Sequence, residues 1–255
     1  MDETQMGQEE WIAGRNAVLE ALKSGRELNT VFLAKDDPSG TLRKIAAMAK
    51  AAGITVKPVD VKKLSSLIPG ASHQGVAASV ACTRYAEVEE IFALAEQRGE
   101  APFLLIADEI EDPHNLGALI RTAEASGVHG VILPKRRSAS LTSAVHKTSA
   151  GAVSHMLVAR VSNLAAELDA LKKRGVWLYG ADMDGEDWCS ADYAGPVGLV
   201  VGSEGRGLSR LVRDKCDFIV SLPMLGKVNS LNASVAGGIL MYEVARQRLH
   251  LPAKK

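Results

Sequence analysis

Residues 222–238 read LPMLGKVNSLNASVAGG, and the rest of the chain is organised around them. The stretch follows a short apolar strand at 218–220 and leads into a helix running to about residue 249. Pro223 and Gly226 interrupt any regular element, and Asn229 and Ser230 favour turns, so the first half is a loop. Ser230-Leu231-Asn232-Ala233-Ser234 then has the pattern of a helix N-terminus, which Asn232 or Ser230 can cap. Ala233, Ser234, Ala236, Gly237 and Gly238 are all small. A glycine inside a helix costs roughly 1 kcal/mol against alanine, so a close approach of backbone or ligand is expected in return. Taken alone, the stretch fits a capped, tightly packed helix as well as it fits a binding loop.

Working outward, the same strand–loop–helix unit repeats. Phe103-Leu104-Leu105-Ile106-Ala107 is a continuous apolar strand, the pattern of a parallel sheet buried on both faces. Further strands are expected at 130–133, 156–161, 176–181, 197–201 and 218–222, with helices at 116–126, 142–148, 164–174, 208–215 and 233–249. Strands alternating with helices predict a parallel α/β sheet covered on both sides, here over residues 101–250. Residues 81–100 carry Glu87, Glu89, Glu90 and Glu96 around Ile91, Phe92 and Leu94, and read as a linker with a short amphipathic helix. Residues 11–80 alternate as well: a helix opening at 12–16, strands at 30–34, 54–56 and 75–80, and helices at 42–52 and 61–67. They form a small α/β domain without clustered acids, bases or nucleophiles, which favours binding over catalysis. Residues 1–10 are polar and read as a frayed tail.

At 255 residues the chain is long enough for two such domains. Its formal net charge is zero, so any contact with nucleic acid must come from a local patch. Aromatic residues make up 4%, too few for a protein that binds single strands by base stacking. Cys82, Cys189 and Cys216 match no zinc or CxxC spacing, which suits a reducing cytoplasm and predicts no metal. No apolar run reaches the roughly 20 residues of a membrane span, and the N-terminal residues are unlike a signal peptide.

Three loops leave the carboxyl ends of expected strands, where open α/β sheets place ligands. The first, 108–117, contains Asp112-Pro113, a turn signal, and Asn115, a possible helix cap; Arg121 follows two turns along. The second, Gly202-Ser203-Glu204-Gly205-Arg206-Gly207, is a glycine-rich turn that can wrap a ligand with backbone N–H groups. It is not a P-loop, because no Lys-Ser or Lys-Thr follows, and it does not read G-x-G-x-x-G, which disfavours a dinucleotide-dependent oxidoreductase. The third is 222–236.

Together the three loops resemble the three motifs of the SpoU (TrmH) family of RNA 2′-O-ribose methyltransferases, of the SPOUT class. Asn115-Leu116-Gly117 with Arg121 is similar to the first motif, 199–207 to the second and 222–236 to the third. Leu222 stands where isoleucine is common and Ala233 where valine is common. Ile12-Ala13-Gly14-Arg15-Asn16-Ala17-Val18 and His73-Gln74-Gly75-Val76 resemble the ends of the substrate-binding domain of the bacterial ribosomal subgroup, a domain similar to ribosomal protein L30e. Within the family the chain looks most like enzymes that methylate a guanosine of 23S rRNA, with tRNA as the alternative substrate.

The resemblance implies a parallel sheet with a C-terminal trefoil knot, S-adenosylmethionine as cofactor, a homodimer with the knots at the interface, and a cytoplasmic enzyme. It implies that Gly202, Leu222, Leu231 and Ala236 surround the cofactor. Arg121, Asn115, Glu204, Ser230 and Asn232 match its other site positions, with Arg121 acting on the ribose hydroxyl and Glu204 orienting Arg121 or a loop. RNA is expected to meet Arg15, Asn16, Lys135, Arg136 and Arg206. A non-catalytic RNA-binding protein of the same fold is a competing reading, disfavoured by the intact Asn115, Arg121, Glu204 and Asn232.

Overall fold

The computed structural model describes residues 11–26, 28–35, 39–80 and 84–252. The expected tail at 1–10 and Cys82 lie outside the described residues. The chain divides into two compact units: the residues up to Arg84 with Ser140–Ser143, and Tyr85–Ala139 with the residues from Ala144 onward.

The first unit contains β1 (Trp11–Ala13), α1 (Arg15–Lys23), β2 (Leu28–Ala34), α2 (Gly40–Ala51), β3 (Thr55–Val59), α3 (Val61–Leu67) and β4 (Val76–Val80). Its sheet has the order β1-β4-β2-β3, with β4 antiparallel to both neighbours and β2 parallel to β3. Val18 of α1 and Leu42, Ile45 and Ala49 of α2 are buried on one face against Val31, Leu33, Val76 and Ala78. Leu64 and Ile68 fill the other face against Ala34 and Ala77. Residues 12–16, expected to open a helix, are split. Trp11–Ala13 is an edge strand on β4, and the helix starts only at Arg15, after Gly14 at φ 94°. Pairing with a strand more than sixty residues on is non-local, so periodicity around residue 12 could not reveal it. Strand β3 runs through Pro58, which its edge position tolerates.

The second unit contains α4 (Val88–Arg98), β5 (Phe103–Ala107), α5 (Pro113–Ala125), β6 (Gly130–Pro134), α6 (Ser143–Thr148), β7 (Leu157–Val161), α7 (Leu164–Lys173), β8 (Trp177–Asp187), β9 (Val197–Val201), α8 (Arg210–Arg213), β10 (Phe218–Ser221) and α9 (Ala233–Arg248). Six strands form one wholly parallel sheet in the order β10-β8-β9-β5-β6-β7. Leu104, Ile106, Ile132, Leu178 and Val200 point to one face, beneath Ile91, Leu168, Leu171 and Val212. Helices α5 and α9 pack on each other on the opposite face, where α9 also meets β9. Gly237 lets α9 come this close: a Cβ there would lie 2.7 Å from Leu119 Cδ2 and 3.2 Å from Val201 Cγ2. The helix expected at 208–215 shrinks to the single turn of α8. Among the described residues no helix is long and apolar enough to cross a membrane.

The segment 81–100, expected to be a linker with a short amphipathic helix, does hold such a helix, α4, but packs it into the second unit. Helix α4 is closed by a reciprocal capping box, Glu87 with Glu90, and its apolar face (Val88, Ile91, Ala95) is buried in the core of the second unit. Ala86 adds a bridge to Ala159. The glutamates that suggested a solvated linker are simply the outer face of an amphipathic helix. A chain beginning at Tyr85 should therefore fold, whereas one beginning at Ala101 would strip α4 from the sheet. In the full chain Ile91→Ala should destabilise the second unit by about 2–5 kcal/mol. Denaturant unfolding with an unchanged midpoint would show that α4 is not part of that core.

Candidate active site

The carboxyl ends of β5, β8, β9 and β10 point the same way, and the loops that leave them build the site. After β9 the chain folds back on itself. Ser203 and Gly207 exchange backbone hydrogen bonds of 3.0 and 2.9 Å, with Gly205 and Gly207 at φ 79° and 66°. Gly202 is the inner wall of this turn: a Cβ there would lie 2.2 Å from the Gly207 carbonyl carbon. Buried Asp108 pins both ends of the turn to β5. Its N–H donates to Val201 O at 2.8 Å, and its Oδ2 accepts from Ser209 N at 2.7 Å. Burial pushes the Asp108 carboxyl above its ordinary value, against the opposing effect of the Ser209 hydrogen bonds.

Asn232 joins three loops. Its Oδ1 accepts from Ser234 N (2.9 Å), Val235 N (3.2 Å) and Ser234 Oγ (2.6 Å), which caps α9. Its Nδ2 donates to Asn115 Oδ1 at 2.8 Å and to Glu204 Oε1. The amide can face only one way, because its oxygen meets donors and its nitrogen meets two acceptors. Glu204 also accepts from Ala233 N at 3.4 Å, so its carboxylate lies at the positive end of α9. Asn115 is free for this contact because it does not cap α5. Asp112 does, accepting from His114 N and Asn115 N at 3.2 Å each, with Pro113 in the first turn.

Beside this network lies a cavity of about 270 Å³. Gly202, Leu222, Leu231 and Ala236, the expected cofactor contacts, all line it, together with Ser230, Glu204 and Arg206. Val201, Val220 and Leu240 complete an apolar wall, and Asp182, Ser203 and Asn229 supply polar groups. Such a wall suits a flat purine, and Ala233 and Ala236 leave room where larger residues would intrude. Asp182 and Met183 lie midway along β8, just past the end of the strand expected at 176–181, and the sequence reading did not single them out. The register of β8 against β10 jumps from Gly180 to Glu186, so residues 181–185 have no partner in that ladder, and of these Ala181, Asp182 and Met183 line the cavity. The rule that ligands collect at strand ends was the signal available for them.

Arg121 is not part of this assembly. It is exposed on α5, about 9 Å along the helix axis from Asn115. It lines neither the cavity nor the Asn115–Asn232–Glu204 network. It stands one turn from Ala118, which with Thr122 lines a second, open concavity of about 700 Å³ along Val235, Ile239 and Tyr242 of α9. Glu204, expected to orient Arg121 or a loop, makes its hydrogen bonds within the chain to Asn232 and Ala233 at the start of α9.

The candidate RNA contacts divide between the units. In the first, Arg15 Nε donates to Gln74 O at 2.9 Å and Arg15 N to Gln74 Oε1 at 3.2 Å, which joins the two sequence stretches 12–18 and 73–76; Asn16 is exposed. In the second, Arg136 is exposed, and Lys135 is half-buried with its carbonyl held by Arg160 at 2.8 Å. Arg137 pairs with Glu109 at 2.8 Å. Arg206 is exposed and also lines the cavity.

Glycine-rich strand-end loops around an apolar cavity, closed by one polar network, make a site for a nucleoside-like ligand. Residues 102–242 match the model of the SpoU rRNA methylase family, and residues 11–86 match that of the RNA 2′-O ribose methyltransferase substrate-binding domain. The chain belongs to the SpoU rRNA methylase family. It is 50% identical over 242 residues to YacO of Bacillus subtilis, a protein assigned to the TrmH family of tRNA/rRNA methyltransferases, covering 94% of this chain and 97% of that one. Among solved structures it is similar to the SpoU methyltransferase AviRb of Streptomyces viridochromogenes in complex with AdoMet, with TM-score 0.60, 25% identity, and coverage of 95% and 91%. An AdoMet-bound rRNA methyltransferase of Sinorhizobium meliloti gives TM-score 0.57, 26% identity, and coverage of 96% and 89%.

Two substitutions separate the halves of Asn232. Asn232→Ala should cost about 1 kcal/mol through the lost cap. Asn232→Asp keeps the cap acceptor but sets a second carboxylate against Glu204, so it should lower Tm at neutral pH and recover as the pH falls into the carboxylate range. A pH-independent, unshifted Tm for Asn232→Asp would show that the amide donor is dispensable.

Proposed function

We propose that the protein transfers a methyl group from S-adenosylmethionine to a ribose 2′-OH of RNA, and that the target is a guanosine of 23S rRNA, as in the RlmB enzymes. The observation that carries this reading is the cavity edged by Gly202, Leu222, Leu231 and Ala236, directly beside the Asn115–Asn232–Glu204 network. The presence of a substrate-binding unit over 11–86 favours a large structured RNA. A tRNA target is the second reading, supported by the tRNA/rRNA assignment of YacO.

S-adenosylmethionine supplies a methyl group already activated on sulfonium. What is left to the protein is to align the hydroxyl and stabilise the charge that develops on it. Alignment alone contributes several kcal/mol. Arg121 is assigned to the developing alkoxide and its neighbouring phosphate; a guanidinium stays protonated, so it acts by charge and hydrogen bonding rather than as a base. Asn115, Asn232 and Ser230 orient substrate groups at the cavity edge, and Glu204 holds Asn232 in place. The apolar wall of Leu222 and Leu231 receives the adenine, and Ala236 keeps the space open.

Arg121 lies outside the cavity of its own chain, which supports its serving the opposite subunit of a homodimer. Val235 (50% exposed), Ile239 (37%) and Tyr242 (54%) leave an apolar stripe on α9 beside α5 for that interface. The return of α9 from the edge strand β10 to the middle of the sheet supports a C-terminal trefoil knot. Residues 11–80, read as the L30e-like domain, hold RNA through Arg15 and Asn16, and the second unit contributes Lys135, Arg136 and Arg206. A cytoplasmic location follows from the substrate.

Arg121→Ala should abolish most single-turnover methylation while leaving S-adenosylmethionine affinity unchanged by calorimetry; full activity would remove Arg121 from the mechanism. Light scattering at enzyme concentrations that support activity should return the mass of a dimer, and a monomer mass would overturn the shared site. Mapping of 2′-O-methyls on total RNA from a deletion strain should show one lost position in 23S rRNA, with a loss confined to tRNA favouring the second reading.

A further inference from the structure

The cavity contains a carboxylate that neither the motifs nor the proposed mechanism uses. Asp182 stands on β8 within the stretch 181–185 that has no partner in β10, and lines the cavity together with the Gly202–Gly207 turn. Its side chain is only 20% exposed. Oδ1 accepts from Met183 N at 2.7 Å, and Oδ2 accepts from Arg213 Nε at 3.1 Å. A carboxylate has about four acceptor positions, so these two bonds leave capacity on both oxygens. The carboxylate lies next to the turn, 3.9 Å from a Cβ built on Gly207, which places it at the cavity wall formed by Gly202–Gly207. Glu204, the other carboxylate of the cavity, is already occupied by Asn232 and Ala233.

The kind of donor that Asp182 takes follows from its neighbour. Arg213 holds Asp182 and, at 2.6 Å through its other arm, Asp184. A paired guanidinium offsets the charge of Asp182 and disfavours a second cation beside it. Neutral donors are left, and two adjacent hydroxyls match two acceptor oxygens. We infer that Asp182 is the specificity-determining acceptor for the ribose hydroxyls of the adenosyl cofactor, selecting a ribonucleoside over a deoxyribonucleoside. The inference rests on the cofactor reading above and adds the group that grips the sugar.

The test uses the full-length protein and calorimetry with four probes: S-adenosylhomocysteine, 5′-methylthioadenosine, which lacks the amino-acid part, and the 2′,3′-dideoxy form of each. Asp182→Ala should weaken S-adenosylhomocysteine about ten- to a hundredfold, the usual effect of losing hydrogen bonds to a charged group. It should weaken 5′-methylthioadenosine by the same factor. The dideoxy probes should bind the wild type as weakly as the ribo probes bind the variant, and Asp182→Ala should not weaken them further. Asp184→Ala, which removes only the exposed partner of Arg213, should leave all four affinities unchanged, and an intact melting transition checks the fold of each variant. A loss seen with S-adenosylhomocysteine but not with 5′-methylthioadenosine would assign Asp182 to the amino group and overturn the inference. Equal losses for ribo and dideoxy probes would make Asp182 a structural residue and overturn it equally. Failure of the wild type to bind any of the four would instead refute the cofactor reading itself.

Discussion

One side chain, Asn232, holds the site together. Its oxygen satisfies the first N–H groups of α9, and its nitrogen reaches Asn115 at the start of α5 and Glu204 in the turn after β9. An aspartate could cap the helix but could not donate; a serine could accept and donate one hydrogen bond but would not span three loops. The carboxylate of Glu204 benefits in addition from the dipole of a sixteen-residue helix. Three segments far apart in the sequence therefore share one small polar network, and the walls of the cavity follow from it.

Close backbone approach is the second constraint. At Gly202 the turn folds onto its own far end, and at Gly237 helix α9 settles on Leu119 and Val201. The small residues after Leu231 thus have different tasks. Ala236 faces the cavity, Gly237 faces the core, and Gly238 faces Thr122 near the open concavity. Asp108 completes the frame from the side of β5, and its tie to Ser209 fixes where the turn re-enters the fold.

Helix α9 is apolar on two sides. Leu240, Met241 and Val244 are buried against the sheet and α5, while Val235, Ile239 and Tyr242 are exposed. A helix with one buried stripe suffices for a monomer; a second apolar stripe next to Ala118 and Thr122 is what an interface between subunits requires. Arg121 lies on the same face of α5 as Ala118, beside this stripe.

Much of this was legible in the sequence. Apolar runs such as Phe103–Ala107 and Val197–Val201 announced a buried parallel sheet, and the loops after them announced where ligands gather. Asn115, Glu204 and Asn232 stood out through the resemblance of their three loops to the SpoU motifs. Local patterns determine elements and turns because the forces involved, helix periodicity and turn chemistry, act within a few residues. Tertiary structure decided the rest. That Trp11–Ala13 is a strand depends on β4, and that α4 is core rather than linker depends on an apolar face whose partner strands lie elsewhere in the chain. That Asp112 rather than Asn115 caps α5 depends on where the first turn closes, a shift of three residues that left Asn115 available to Asn232. Asp182 lines the cavity from the stretch of β8 that has no partner in β10. Each of these rests on a non-local contact or a local register, and neither is written in the residues on either side.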